Sequence, residues 1–253
     1  MGYEPGQHTT IRFEREGEEV VRPYTATSLP GTGRFTLAIR RYDDGTASVY
    51  MHEREVGDEV EIGELGGNLT LDDPTANVAC VATGTGITPM AALIKQHVDV
   101  GEGETRLFFG ERTEEDVIYR ETFDQLAAQN ASFEAVYSLS EPGEGWTGPI
   151  GPVQEHLPEE LEELADWQFY VCGVPEMVVE TKELLSEEGV PEEQVLRTGG
   201  RTGRPGHCKV LRWPVEIAGR GVSRPRSATR RIDRIAVAIR SAGAVPNEPS
   251  ARD

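Results

Sequence analysis

A change of rhythm at Asn77 constrains this 253-residue chain more than any other feature. Before it, from Gln7 to Leu71, short β-leaning runs are broken by turn residues. The runs are His8–Glu14, Phe35–Tyr42, Thr46–His52 and Glu59–Ile62; the breaks include Pro30-Gly31, Asp43-Asp44-Gly45 and Gly66-Gly67-Asn68. Strands that short and closely spaced predict an antiparallel barrel or sandwich. After it, the apolar runs Val78–Ala82, Arg106–Phe109, Phe133–Tyr137, Gln168–Cys172 and Gln194–Leu196 alternate with helical stretches. Those stretches are Thr88–Val98, Ile118–Gln129, Val153–Leu164 and Pro175–Glu188. Such alternation predicts a parallel sheet covered on both faces, which binds ligands beyond the carboxyl ends of its strands. The expected fold class is β followed by α/β, with a barrel over 1–73, a parallel-sheet domain over 74–198 and a tail over 199–253.

Charge separates the tail from the rest. Residues 1–200 carry 40 acids and 13 bases, whereas residues 201–253 carry 4 acids and 12 bases. The overall net charge of −19 speaks against a nucleic-acid partner. Lys95, Lys182 and Lys209 are the only lysines, against 22 arginines. An acidic, lysine-poor surface fits a halophilic protein, because in molar salt the screening length falls to about 3 Å and like charges barely repel. Cys80, Cys172 and Cys208 are too widely spaced for a C-x-x-C metal site, an iron–sulfur ligand set or a disulfide framework. No apolar run of about 18 residues spans a membrane, and the N-terminus lacks a secretion signal's layout. The expectation is a cytoplasmic protein without metal or membrane segment.

Two glycine–proline corners follow predicted strands. In Gly84-Thr85-Gly86-Ile87-Thr88-Pro89-Met90, the glycines let the backbone approach a ligand, while Thr88 suits an N-cap and Pro89 a first helical position. Free N–H groups at such a helix start attract anions. Cys172-Gly173-Val174-Pro175-Glu176-Met177 repeats the arrangement; a lone cysteine there is ordinarily a small buried hydrophobe. In the strand-rich block, Arg22-Pro23-Tyr24-Thr25 ends one strand and Gly45-Thr46-Ala47-Ser48 opens another. Arg22 can grip a phosphate, Tyr24 offers a ring face, and Thr25 and Ser48 offer hydroxyls. Singly, each is more often structural.

In order, Arg-Pro-Tyr-Thr, Gly-x-x-Ser, Gly-Thr-Gly-Ile-Thr-Pro-Met and Cys-Gly-x-Pro-x-Met resemble the ferredoxin–NADP reductase superfamily over about residues 3–198. The wording is similar to its cytochrome b5 reductase-like and oxygenase-reductase members, and Tyr3-Glu4-Pro5-Gly6-Gln7 resembles the strand opening before the family's flavin motif. The resemblance implies an FAD-binding barrel, an NAD(P)-binding α/β domain, and FAD with NADH or NADPH as cofactors. Arg22 would neutralise the FAD pyrophosphate, Pro23 and Tyr24 would set a ring against the isoalloxazine and ribityl, and Thr25 would approach flavin N5. Ala38, Ile39 and Arg40 would line the flavin, and Gly45, Ala47 and Ser48 would bind its pyrophosphate. Gly84, Thr85, Gly86, Thr88 and Pro89 would cradle the nicotinamide nucleotide. Cys172, with Gly173, Pro175 and Met177, would stand beside nicotinamide C4 and shape its approach. Thr25, Thr88 and Cys172 are thus the implied catalytic set. Arg112 would reach a 2′-phosphate, but Leu139 or Ser140 stands where NADP-preferring relatives often carry arginine, so NADH is favoured.

Electrons would pass to ferredoxin, another redox protein or a small acceptor. The rival expectations are an electron-transfer subunit of a larger complex and a nucleotide-binding module that no longer catalyses. Both ends depart from the family. By the resemblance, the family's first barrel strand is expected to be missing here, as a start codon placed too far downstream would explain. Residues from about 197 read as a shifted-frame product or a disordered extension, with a basic arm as the competing reading. Only Ile232–Ile239 shows periodicity, and degenerate codons for Leu196 to Gly203 can encode Thr-Asp-Gly-Trp-Ala-Asp-Gly in a neighbouring frame.

Overall fold

Alternating burial shapes the first sheet. The computed structural model describes residues 2–32, 34–42, 44–197, 211–221 and 234–240, the last two segments as backbone alone. Strand β1 (His8–Arg15) turns Thr9, Ile11 and Phe13 inward. A two-residue turn with positive φ at Glu16 and Gly17 leads into β2 (Glu18–Thr25), the turn geometry whose twist matches a hairpin. Strand β3 (Arg34–Arg40) buries Phe35, Leu37 and Ile39.

Thr46–His52, expected as a strand, is helix α1. Its β-branched and aromatic residues favour a strand, and seven residues are too few for periodicity to decide. Packing decides: Ala47 and Met51, one helical turn apart, both enter the core with Ile11, Leu37 and Val60. Strand β4 (Glu59–Ile62) adds Val60 and Ile62 to the same core.

Past the linker, β5 (Asn77–Thr83), α2 (Ile87–Val100), β6 (Thr105–Glu111), α3 (Arg120–Gln129) and β7 (Phe133–Leu139) follow in alternation. The expected helix Val153–Leu164 is instead a tight turn, Val153–His156, and a single helical turn, α4 (Leu157–Glu160). Leu161 is extended, so Leu157, Leu161 and Leu164 can all seat under the sheet. Strand β8 (Trp167–Cys172), α5 (Pro175–Glu187) and β9 (Val195–Arg197) complete this half. The five strands are parallel in the order β7-β6-β5-β8-β9. One core, with α2 and α3, covers one face; a second, with α5 and the Val153–Leu164 segment, covers the other.

Within the tail, β10 (Leu211–Gly221) pairs antiparallel with β4, and β11 (Arg234–Arg240) pairs with β3. The first sheet therefore runs β2-β1-β4-β10-β11-β3, so these two segments are strands and not the disordered extension that was one expectation for the tail. The rest of the tail, Cys208 included, lies outside the described residues.

Candidate active site

The parallel sheet changes direction at β5: β6 and β7 lie to one side, β8 and β9 to the other. A crevice opens at the carboxyl ends of strands at such a switch point. Two tips border it. After β5 comes the tight turn Gly84–Gly86, with Gly84 at φ +57. Gly86 lies so close to the Cys172 carbonyl that a Cβ would collide with it, and Gly173 is equally close to the Thr83 hydroxyl. That hydroxyl accepts a hydrogen bond from Val174 N at 3.0 Å. Both tips are thus locked to each other by backbone contact, with Cys172 half-buried between them.

Two expectations at these tips change. Helix α2 begins at Ile87 with Gly86 as its cap, and Thr88 Oγ1 donates to Thr85 O at 2.9 Å. Thr88 and Pro89 are therefore the second and third helical residues, where a missing proline N–H still costs nothing. Met177 is buried, with its methyl beneath Gly173, so it props the tip from below. Pro175, the first residue of α5, is exposed.

On the barrel side, Tyr24 packs against the cluster that holds Ile39 and Ala47. Burial pushes the Tyr24 phenol up from its ordinary pKa, and the nearby Arg22 charge partly offsets this. Arg22 and Pro23 are exposed. Arg22 donates to Val21 O at 2.8 Å, and among the described residues it forms no ion pair. Ser48 is buried, and its hydroxyl accepts from Tyr42 N at 3.1 Å. Gly45 has no room for a Cβ against that hydroxyl. The Ser48 hydroxyl thus holds the turn before α1 instead of standing free for a ligand. Ile39 points into the barrel core, whereas Ala38 and Arg40 are on the other face of β3.

The two halves meet beside these groups. Strand β3 lies against the Gly84–Gly86 turn. Lys95 Nζ donates to Thr27 O at 3.0 Å, and Tyr119 Oη donates to Thr27 Oγ1 at 3.3 Å. Arg40 Nη2 stands 3.9 Å from Asp116 Oδ1. Thr27 follows Thr25 by two residues, so the segment after Arg22-Pro23-Tyr24-Thr25 packs against the half that carries the sheet's tips. Sequence reasoning singled out neither Thr27, Tyr119 nor Asp116; the rarity of lysine is the one signal that points to Lys95.

At the ends of β6 and β7, Arg112 Nη2 reaches both Glu141 carboxylate oxygens, at 2.9 and 2.8 Å. The pair raises the Arg112 pKa and lowers that of Glu141. Sequence reasoning named Arg112 but not its partner.

This arrangement fits both nucleotides. An arginine that pairs with no carboxylate among the described residues, beside a half-buried tyrosine, suits a pyrophosphate and a ring. A turn with open space beside Gly84 suits close approach of a second nucleotide. Among the described residues no cluster of His, Cys, Asp and Glu can hold a metal ion, and no helix is long and apolar enough to cross a membrane.

Comparison with known proteins agrees. The oxidoreductase FAD-binding domain family matches residues 1–69, and the oxidoreductase NAD-binding domain family matches residues 80–183. The chain is 35% identical over 203 residues to a ferredoxin–NADP reductase B of Sorangium cellulosum, covering 76% of this chain and 83% of the relative. It is 31% identical over 205 residues to an NADH-cytochrome b5 reductase 1 of Cryptococcus neoformans, covering 76% and 70%. The cytochrome b5 reductase domain of Ulva prolifera nitrate reductase superposes with a TM-score of 0.71 at 25% identity, covering 78% and 85%.

Proposed function

Since this chain belongs to the ferredoxin–NADP reductase superfamily and is an FAD-dependent NAD(P)H oxidoreductase, we propose that it takes electrons from NADH in preference to NADPH and delivers them to a one-electron protein such as ferredoxin, or to a small acceptor. Residues 1–73 hold FAD and residues 74–198 hold the nicotinamide nucleotide. When bound, the flavin accepts two electrons together and gives them up singly.

The protein's part is positioning. Arg22 neutralises the pyrophosphate, Tyr24 packs its ring on the flavin, and Thr25 holds a hydroxyl toward N5. Ala38 and Arg40 line the flavin from β3. Gly84–Gly86 with Thr88 let the nicotinamide nucleotide settle at the tip of β5, and Cys172 with Gly173 bounds its other side. Held in this way, donor and acceptor rings need no search for each other, the main source of rate in such a transfer.

The observation that carries this reading is the meeting of the Thr25–Thr27 segment with α2 and Tyr119 at the crevice. The preference for NADH rests on Glu141. Its carboxylate occupies the guanidinium that would greet a 2′-phosphate, and it repels that phosphate as well. The test mixes the FAD-loaded protein anaerobically with each nucleotide, then adds a [2Fe–2S] ferredoxin, a b-type cytochrome or a quinone. NADH should reduce the flavin faster than NADPH, and Glu141→Gln should narrow the gap by roughly three- to tenfold. Equal rates in the parent protein would overturn the NADH preference. Failure of every acceptor to reoxidise the flavin would overturn the electron-transfer role.

A further inference from the structure

Lys95 is unusual in three ways. It is one of three lysines in a chain with 22 arginines. It is half-buried, which draws its pKa below the ordinary lysine value. And although the chain holds 44 acids, its ammonium faces no carboxylate among the described residues. Its partners are the Thr27 carbonyl at 3.0 Å and the face of the Tyr119 ring, whose centroid lies 6.0 Å away. Burying an ammonium without a counter-ion is unfavourable, so a surface lysine has no reason to settle here.

Tyr119 is unusual too. It caps α3 with φ +61, a left-handed conformation that a bulky side chain rarely adopts. That conformation sends its hydroxyl to Thr27 Oγ1 at 3.3 Å, and burial raises its pKa. Thr27 is itself buried and is bound to β3 through Thr27 N and Thr36 O at 2.8 Å. Two groups from the nucleotide half, on different helices, therefore converge on one residue of the flavin half.

We propose that Lys95 is a positioning residue: with Tyr119 it clamps Thr27 to α2 and so fixes the spacing between the nicotinamide cradle at the start of α2 and Thr25 at the flavin. The connection is short. Lys95 lies two turns along the helix that opens at Gly86, and Thr27 lies two residues beyond Thr25. Loosening the clamp leaves each nucleotide with its own binding residues but lets the two rings drift apart. Transfer rates are sensitive to such drift, with a misplacement of about 1 Å costing on the order of a hundredfold. This rests on the assignment of Thr25 to the flavin and Gly84–Thr88 to the nicotinamide nucleotide.

The test compares the FAD-loaded parent with Lys95→Met, which keeps length and ring packing but removes charge and donor, and with Lys95→Arg, which restores both. Rapid anaerobic mixing with NADH reads the rate of flavin reduction, the concentration of NADH that half-saturates it, and the long-wavelength absorbance of the stacked nicotinamide–flavin pair. The expected result is a reduction rate down roughly tenfold or more in Lys95→Met, with weaker stacking absorbance, parental FAD content and a half-saturation within about twofold. Lys95→Arg should recover most of the rate. A parental rate and absorbance in Lys95→Met overturn the clamp, as does a loss that appears only in FAD content or in NADH affinity. If Lys95→Met does not fold, Tyr119→Phe, which deletes a single hydroxyl, gives the same readout: slowed reduction supports the clamp and an unchanged rate overturns it. A parent flavin that neither NADH nor NADPH reduces would instead refute the underlying site assignment.

Discussion

In the proposed reading, the two halves of this molecule prepare a nucleotide site by opposite means. At the tips of the parallel sheet the backbone does it: Gly86 and Gly173 sit against the Cys172 carbonyl and the Thr83 hydroxyl, and no side chain could replace their hydrogens. On the barrel, the proposed site is made of side chains: Arg22 and Tyr24 project from β2, an edge strand whose burial does not alternate. A site made of backbone fails when the chain is pushed apart, whereas a site made of side chains fails one contact at a time. Substitutions in the two places should therefore differ in kind as well as in size.

The largest effect is expected at Gly86. A valine there drives its Cβ into the Cys172 carbonyl, separating β5 from β8 at a stability cost on the order of 1–3 kcal/mol. NADH titration should show binding weakened by roughly a hundredfold or more, while FAD content stays near the parent's, because the barrel does not use this contact. If FAD is lost together with NADH binding, the two halves are less separable than their construction implies.

Arg22→Ala should act more mildly and on the other cofactor. Removing one charge-assisted contact to a pyrophosphate weakens FAD retention by roughly ten- to a hundredfold, read as flavin released on desalting. The fold should be unaffected, since Arg22 is exposed and donates to its own neighbour's carbonyl, Val21 O. Flavin that stays fully bound would remove Arg22 from the site.

The smallest effect concerns acid. His97 lies buried under the parallel sheet, with Nδ1 accepting from Thr105 Oγ1 at 2.7 Å and Nε2 donating to Ala76 O at 3.1 Å. Both contacts use the neutral ring, and burial pulls its pKa below the ordinary 6.5. A depressed histidine favours the folded state at pH above its unfolded value, and that contribution is lost as pH falls through the folded value. Thermal melting should thus drop as pH is lowered below about 6.5, with His97→Gln flattening the dependence. An identical slope in both proteins would place the acid sensitivity elsewhere.

The same contrast governs what could be read from sequence. Strands of the parallel half are buried on both faces and stand out as apolar runs, so the runs coincide with β5 to β9 to within two residues at each end. Their glycine corners carry a mechanism that needs no tertiary knowledge. In the barrel half, Thr46–His52 satisfied a strand's propensity and a helix's spacing at once, and only the core beneath it chose. Thr88 suits a cap by its residue type, but the glycine turn before it is already helical enough to advance the start of α2. The links through Thr27, Tyr119 and Asp116 join residues up to 92 positions apart, and no local pattern announces them. Glu141 was hidden among many acids until its bidentate grip on Arg112 set it apart.

The central claim is that both nucleotides meet across one crevice within this chain. Rapid mixing of the FAD-loaded protein with NADH, without oxygen and without any other protein, tests it most directly. Bound flavin should lose its colour in a phase whose rate saturates with NADH concentration. Flavin that stays oxidised, while titration shows NADH bound to the same molecule, would mean that the two sites do not face each other.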